Sequence, residues 1–214
     1  TITLATVSTK TLNSTLTNSG TINWNSGQIS GTGTVQNASG GVFNINFDSI
    51  SQLLVPVLNN GTVNHTSGGN FSTSNTFTNG SGGTLSVNVG TWGFSSAWSN
   101  AGTLHIPAGR TLFINSAGSL NSGSALTGTG IFSVNGGATV TQNTPWTNTN
   151  INLTLESSSV WNTTTGNGTT FAAGGTLTWN AGTLAGPAGF TVDPGATITL
   201  ATVSTKTLNS TLTN

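Results

Sequence analysis

The sequence predicts an all-β protein, a parallel β-helix (β-solenoid), and three observations support this fold class. Residues 1–18 and 197–214 share one sequence, TITLATVSTKTLNSTLTN. A looser repeat of roughly 20 to 22 residues, in which apolar and polar residues alternate, fills the interval between them. Strand-favouring threonine, valine, isoleucine and aromatic residues are plentiful, whereas only 3% of residues are charged. Repeats of this kind are typical of solenoids, in which each repeat forms one coil.

The identical terminal segments define a long repeat. The step from Thr1 to Thr197 gives a period of 196 residues. We therefore predict that residues 1–196 form one complete solenoid block and that residues 197–214 are the start of the next identical block.

The coils within a block are marked by Gly-Thr-apolar segments. Aligned on these segments, the coils begin at Gly20, Gly41, Gly61, Gly83, Gly102, Gly130, Ile151, Gly175 and Ala196. The block thus holds about nine coils, most of roughly 20 to 22 residues, with one longer interval of 28 residues after Gly102. We expect a loop between Ala117 and Gly128 to take up the extra length.

The first strand of each coil carries two apolar positions separated by a polar one, which indicates a strand with one buried face. The first position gives a predicted core ladder of Ile22, Phe43, Val63, Leu85, Leu104, Phe132, Leu153, Leu177 and Ile198. The second position gives a second core ladder of Trp24, Ile45, His65, Val87, Ile106, Val134, Leu155, Trp179 and Leu200. His65 is the one polar member of either set.

Each coil has room for two further strands. A second apolar cluster lies about nine to twelve positions after each start, as at Phe71 and Leu112, and a third lies near fifteen to seventeen, as at Val35 and Phe77. Clusters of Asn, Gly and Ser separate them and favour turns. We predict a roughly triangular coil with stacked asparagines at its corners. Amide ladders explain these asparagines better than the Asn-x-Ser/Thr glycosylation pattern does.

The charge content excludes several classes of partner. One period contains Lys10, Arg110, Asp48, Glu156 and Asp193 as its charged residues. Nucleic-acid binding needs clustered basic residues, so we expect no nucleic-acid partner. No apolar run is long enough to span a bilayer, and there is no cysteine for disulfides or thiolate metal sites.

The residue types for catalysis and metal binding are sparse. Paired carboxylates for glycoside hydrolysis must lie about 5 to 9.5 Å apart, but Asp48 and Glu156 fall five coils apart and Glu156 and Asp193 on different faces. We expect no enzyme, no catalytic residue and no cofactor. His65 is predicted to point inward and His105 outward, so they do not form a shared metal site.

The segments NSGTINWNSGQISGTGTVQNASGGVFNI and NAGTLHIPAGRTLFINSAGSL resemble coils of large bacterial surface proteins. These include filamentous-haemagglutinin-like adhesins and autotransporter passenger domains, which form right-handed parallel β-helices. The resemblance implies a secreted, cell-surface location and a role in attachment, matrix or fibre formation. Partners would be further copies of the chain along or beside the fibre axis.

An alternative is a glycan-binding adhesin module that recognises surface glycans. Exposed aromatic side chains stack on sugar rings, and some of Trp92, Trp98 and Trp161 are the candidates from the sequence. Aromatic residues in a solenoid are more often part of the core, which is the alternative for these three.

Overall fold

The structure, a computed structural model, describes residues 1–47 and 49–214, without the side chains of residues 49–51. The described residues form 31 short strands and no helix. Every strand pairs in parallel with the strand three places before or after it in the chain, apart from one break described below. The chain is therefore a parallel β-solenoid with three strands in each coil, and the predicted fold class is confirmed.

The strands fall on three faces, which we call faces I, II and III. Face I holds β1 (Ile2–Leu4), β4 (Thr21–Trp24), β7 (Val42–Ile45), β10 (Thr62–His65), β13 (Thr84–Val87), β16 (Thr103–His105) and β19 (Ala125–Thr127) in one sheet, and β22 (Trp146–Asn148), β25 (Thr169–Phe171), β28 (Phe190–Val192) and β31 (Leu212–Thr213) in a second.

Faces II and III are each a single ten-stranded sheet. Face II holds β2 (Lys10–Thr11), β5 (Ile29–Ser30), β8 (Ser49–Leu53), β11 (Asn70–Thr73), β14 (Thr91–Phe94), β17 (Thr111–Ile114), β20 (Ile131–Val134), β23 (Asn152–Leu155), β26 (Thr176–Trp179) and β29 (Thr197–Leu200). Face III holds β3 (Leu16–Asn18), β6 (Val35–Asn37), β9 (Val57–Asn59), β12 (Phe77–Asn79), β15 (Trp98–Asn100), β18 (Gly118–Leu120), β21 (Thr139–Gln142), β24 (Val160–Thr163), β27 (Gly182–Ala185) and β30 (Lys206–Asn209).

The core is a column of side chains enclosed by the three faces. Inward and outward residues alternate in the strands, as in β10, where Val63 and His65 are buried and Thr62 and Asn64 are partly exposed. Aromatic rings continue from coil to coil along much of the axis. For example, the Phe94 and Trp98 rings stack with centroids 5.3 Å apart.

The long interval after Gly102 does not contain the loop that we predicted between Ala117 and Gly128. Half of those residues belong to β18 and β19, which pair in register with β15 and β16. The interval holds four strands, β16 to β19, instead of three. The extra length is thus one additional strand on one side of the triangular coil. As a result, the segments that mark the predicted coil starts precede face I strands up to β16 and face II strands from β20 onward.

Face I is interrupted once, between β19 and β22. β19 pairs with β16, and β22 pairs with β25, but the two strands belong to separate sheets. A cavity of about 160 Å³ lies at this break and is lined on its two sides by Leu126 and Asn148, among others. Faces II and III continue past it without interruption.

The two copies of the 18-residue segment lie on different faces. Residues 1–18 form β1, β2 and β3 on faces I, II and III, whereas residues 197–214 form β29, β30 and β31 on faces II, III and I. Between the starts of the two copies the described chain contains 28 strands, β1 to β28. Nine coils of three strands use 27 of these 28 strands. The one remaining strand places the second copy one face further around the axis than the first.

Candidate functional site

The residues of the first predicted core ladder form two separate ladders in the structure, one on face I and one on face II. Ile22, Phe43, Val63, Leu85 and Leu104 pair in succession on face I and are buried. The next partner of Leu104 is Leu126, however, not the predicted Phe132.

Phe132 instead pairs with Leu112 on face II, and Phe132, Leu153, Leu177 and Ile198 then follow one another there. The prediction of one continuous ladder is therefore wrong at this junction, because β19 adds a strand. The second ladder divides in the same way. Trp24, Ile45, His65 and Val87 pair on face I, Ile106 is buried directly after β16, and Val134, Leu155, Trp179 and Leu200 pair on face II.

The two histidines point in opposite directions, as predicted. His65 is fully buried, with its ring centroid 5.8 Å from that of Phe71. The His105 side chain is partly exposed, and its Nδ1 lies 3.0 Å from the hydroxyl of Thr127 on the next coil. Within residues 1–47 and 49–214, no three His, Asp or Glu residues are grouped closely enough to hold a metal ion.

The acidic residues in the described part of the chain lie apart. Glu156 follows β23 on face II, where its Oε1 accepts a hydrogen bond of 2.7 Å from the Asn180 amide. Asp193 follows β28 on face I. The prediction that these two carboxylates occupy different faces is confirmed, whereas the predictions for Asp48 fall outside the described residues.

The tryptophans proposed as sugar platforms are not on the surface. Trp92, Trp98 and Trp161 are all buried, which confirms the core position and rules out the alternative in which they contact a glycan. They occupy inward positions of their strands, where alternation directs large apolar side chains. Trp161 also donates a hydrogen bond of 2.9 Å from its indole nitrogen to the buried Gln142.

A shallow groove of about 250 Å³ is present on the outer surface of face II. Gly93 occupies an outward position between Ser72 and Phe113 and leaves a notch, because it carries no side chain. Phe113 forms one wall with a partly exposed ring. Asn70 and Asn115 add amide groups to the lining.

Ser72 lies at the floor of this groove with its hydroxyl oxygen buried. Its side chain is 8% exposed, and its hydroxyl has no hydrogen-bond partner among the described residues. A buried hydroxyl without a partner is uncommon in a folded protein. The groove is not predicted from the sequence, because it forms from side chains on three stacked coils; the one signal in the sequence is the outward pair Gly93 and Phe113 on neighbouring coils.

A buried ladder of asparagine amides follows the corner where face III ends. Asn18, Asn37, Asn59 and Asn79 each donate to the side-chain oxygen of the next asparagine, at 2.7, 2.8, 2.7 and 2.7 Å, and Asn100 is the last acceptor. The amide ladder predicted from the sequence is confirmed. Asn37 and Asn79 lie within glycosylation sequons, but both are buried in this ladder.

Comparison with known proteins adds no relative. The chain matches no protein-family model, no curated protein and no solved structure. No helix in the described residues is long and apolar enough to cross a membrane.

Proposed function

We propose that this chain is a structural repeat of an extracellular or cell-surface fibre, a stiff β-solenoid stalk or filament that serves attachment or matrix formation. In this proposal it has no catalytic role and needs no cofactor. The observation that carries the proposal is the pair of ten-stranded sheets, faces II and III, which extend unbroken along the whole described chain. Ten strands spaced about 4.8 Å apart make a rod roughly 48 Å long.

The interactions along the axis support a mechanical role. The backbone ladders of faces II and III join each coil to the next, and the apolar ladders, with the amide ladder from Asn18 to Asn100, add side-chain contacts along the axis. Resistance to bending and stretching is therefore built up coil by coil. The composition supports an extracellular location, because a chain without cysteine or methionine has no thiol or thioether to oxidise. The resemblance to bacterial surface proteins supports the same location.

Electron microscopy of the native protein tests the fibre role. We expect rods of uniform width whose length increases by about 45 Å for each 196-residue block. Antibodies raised against residues 1–214 should label intact cells as strongly as permeabilised ones. Compact globular particles, or labelling only after permeabilisation, would contradict the proposal.

Glycan binding is the second candidate, and the groove at Gly93 favours it. A partly exposed aromatic ring beside amide and hydroxyl groups is a combination that binds sugar rings. We expect glycan-array binding by the 214-residue chain that is lost in Phe113→Ala and kept in Thr141→Ala, an outward residue on face III. Equal binding by both variants, or none by the parent chain, would remove this candidate.

A further inference from the structure

We propose that the end coil β29–β31 is an interaction surface for a second block of this same sequence, which joins it rotated by one face. This inference rests on the proposed fibre function. In such an array, each block begins one third of a turn further around the axis than the block before it. Three blocks, with 28 coils over about 134 Å, would restore the starting orientation.

The occupant of this surface follows from the first copy of the segment. Residues 1–18 are covered by the coil of β4, β5 and β6, and the pairs include Ile2 with Ile22 and Leu4 with Trp24. Residues 197–214 have the same sequence, so a coil with the sequence of residues 20–37 fits onto them in the same register. The first copy therefore shows the partner that the second copy accepts.

The exposure of matching residues supports this occupant. Leu4 is partly buried beneath Trp24, whereas its counterpart Leu200 is 64% exposed. Leu200 and Leu212 line an open apolar cavity of about 400 Å³ together with Trp179. A tryptophan equivalent to Trp24 would enter this cavity and cover Leu200 as Trp24 covers Leu4.

The repeated lysine provides a polar contact across the same boundary. Lys10 Nζ donates to the carbonyl oxygens of Thr6 and Ser8 in its own turn, and to that of Ser26 on the next coil at 2.7 Å. Lys206 Nζ makes the two equivalent bonds in its own turn, to Thr202 at 2.7 Å and Ser204 at 3.0 Å. The carbonyl equivalent to Ser26 would come from the next block.

Gly27 shows why the covering coil needs a glycine above the lysine. Its φ is +77°, and a Cβ at this position would overlap Lys10 Nζ and the carbonyl oxygens of Thr6 and Ser8. Glycine therefore allows the covering coil to approach the lysine closely. The block sequence supplies the equivalent glycine at the corresponding place over Lys206.

The rotation follows from the number of strands. Residues 1–18 form strands on faces I, II and III, whereas the identical sequence at residues 197–214 forms strands on faces II, III and I. Because 28 strands cannot be divided into whole coils of three, every further block would advance by one face.

A chain of three tandem blocks tests the surface and the rotation together. The amides of Thr197 and Ala201 already donate to the preceding coil, so Ile198 and Leu200 carry the amides that a covering coil would bind. At each internal junction these two amides should exchange hydrogen at least about tenfold more slowly than in the 214-residue chain. A single cysteine at Thr170 in every block, biotinylated and decorated with streptavidin, should appear in electron micrographs on three sides of the rod. Unchanged exchange would overturn the surface, and decoration along one side would overturn the rotation.

The 214-residue chain provides a matched control. In the 214-residue chain, Lys10→Met should lower the unfolding midpoint more than Lys206→Met does, because only Lys10 has the bond to the next coil. In the three-block chain, Lys206→Met should lower the midpoint as much as Lys10→Met does. Equal losses in the single block would contradict the lysine contact.

The two proposals can fail separately. Straight rods decorated along one side would refute the rotation and leave the fibre function intact. A slowly exchanging junction in a protein that forms no fibre in its cell would refute the fibre function and leave the junction intact.

Discussion

Gly118 is a residue beside which a core side chain leaves no room for a Cβ. It pairs with Trp98 on the preceding coil, and a Cβ on Gly118 would overlap the indole ring. The Trp98 ring is also held by its own hydrogen bond, 3.1 Å from the indole nitrogen to the Ser116 carbonyl. The ring therefore cannot move aside without losing that bond.

We expect Gly118→Ala to destabilise the protein by about 1–3 kcal/mol, the usual cost of overpacking a core. Chemical denaturation followed by tryptophan fluorescence would measure it. Gly20→Ala is the matched control, since no atom lies within 4 Å of its added Cβ. Equal effects of the two substitutions would show that Trp98 does not constrain Gly118.

The amide ladder gives a second prediction at this scale. Asn59 accepts a hydrogen bond from Asn37 and donates to the Asn79 side chain and the Thr84 carbonyl, at 2.7 and 3.1 Å. Asn59→Asp removes both donated bonds and places a buried carboxylate against oxygen atoms, which should cost about 2–3 kcal/mol.

The outer asparagine row provides the comparison. Asn44 bonds with Asn23 and Asn64 on the partly exposed surface of face I, so Asn44→Asp should cost less than about 1 kcal/mol. Thermal unfolding of both variants, monitored by circular dichroism, would decide the point. A loss at Asn44 as large as at Asn59 would mean that burial does not determine the strength of the ladder.

At the scale of elements, the sequence was sufficient for the strands but not for every coil boundary. Alternation and Gly-Thr spacing are local signals, and they located β4, β7, β10, β13 and β16 correctly. β19 lacks the Gly-Thr start, and Leu126 is its one large apolar residue. The sequence pattern therefore predicts no strand there. The groove at Gly93 was missed because it forms only when three coils are stacked.

Cross-linking tests the extra strand directly, because the chain has no cysteine of its own. Thr103 and Ala125 are paired on neighbouring strands, and both side chains are partly exposed. The double variant Thr103→Cys with Ala125→Cys should form an intramolecular cross-link, detectable by mass spectrometry. Thr103→Cys with Ile131→Cys, the pair expected from the uninterrupted alignment, should not. The reverse result would restore a loop between Ala117 and Gly128.

At the scale of the whole molecule, stability should depend little on ionic strength. Three charged side chains in the described residues bind neutral groups: Lys10 binds carbonyls, Glu156 binds the Asn180 amide, and Arg110 donates to the Asn88 carbonyl at 3.1 Å. Salt screens charge–charge interactions, whereas these three side chains contact neutral groups. The Tm should shift by less than about 2 °C between about 0.05 M and about 0.5 M NaCl. A larger shift, measured by calorimetry, would indicate an ion pair that stabilises the fold.

The break between β19 and β22 has a consequence for how a long array responds to force. Hydrogen bonds cross this level on faces II and III but not between these two strands on face I. Each block therefore has one compliant side, and a rod in which this side always faced the same way would curve into an arc. If successive blocks turn by one third of a revolution, the compliant sides are distributed evenly around the axis. The bends then cancel over three blocks, and the filament is straight on average yet able to flex in every direction.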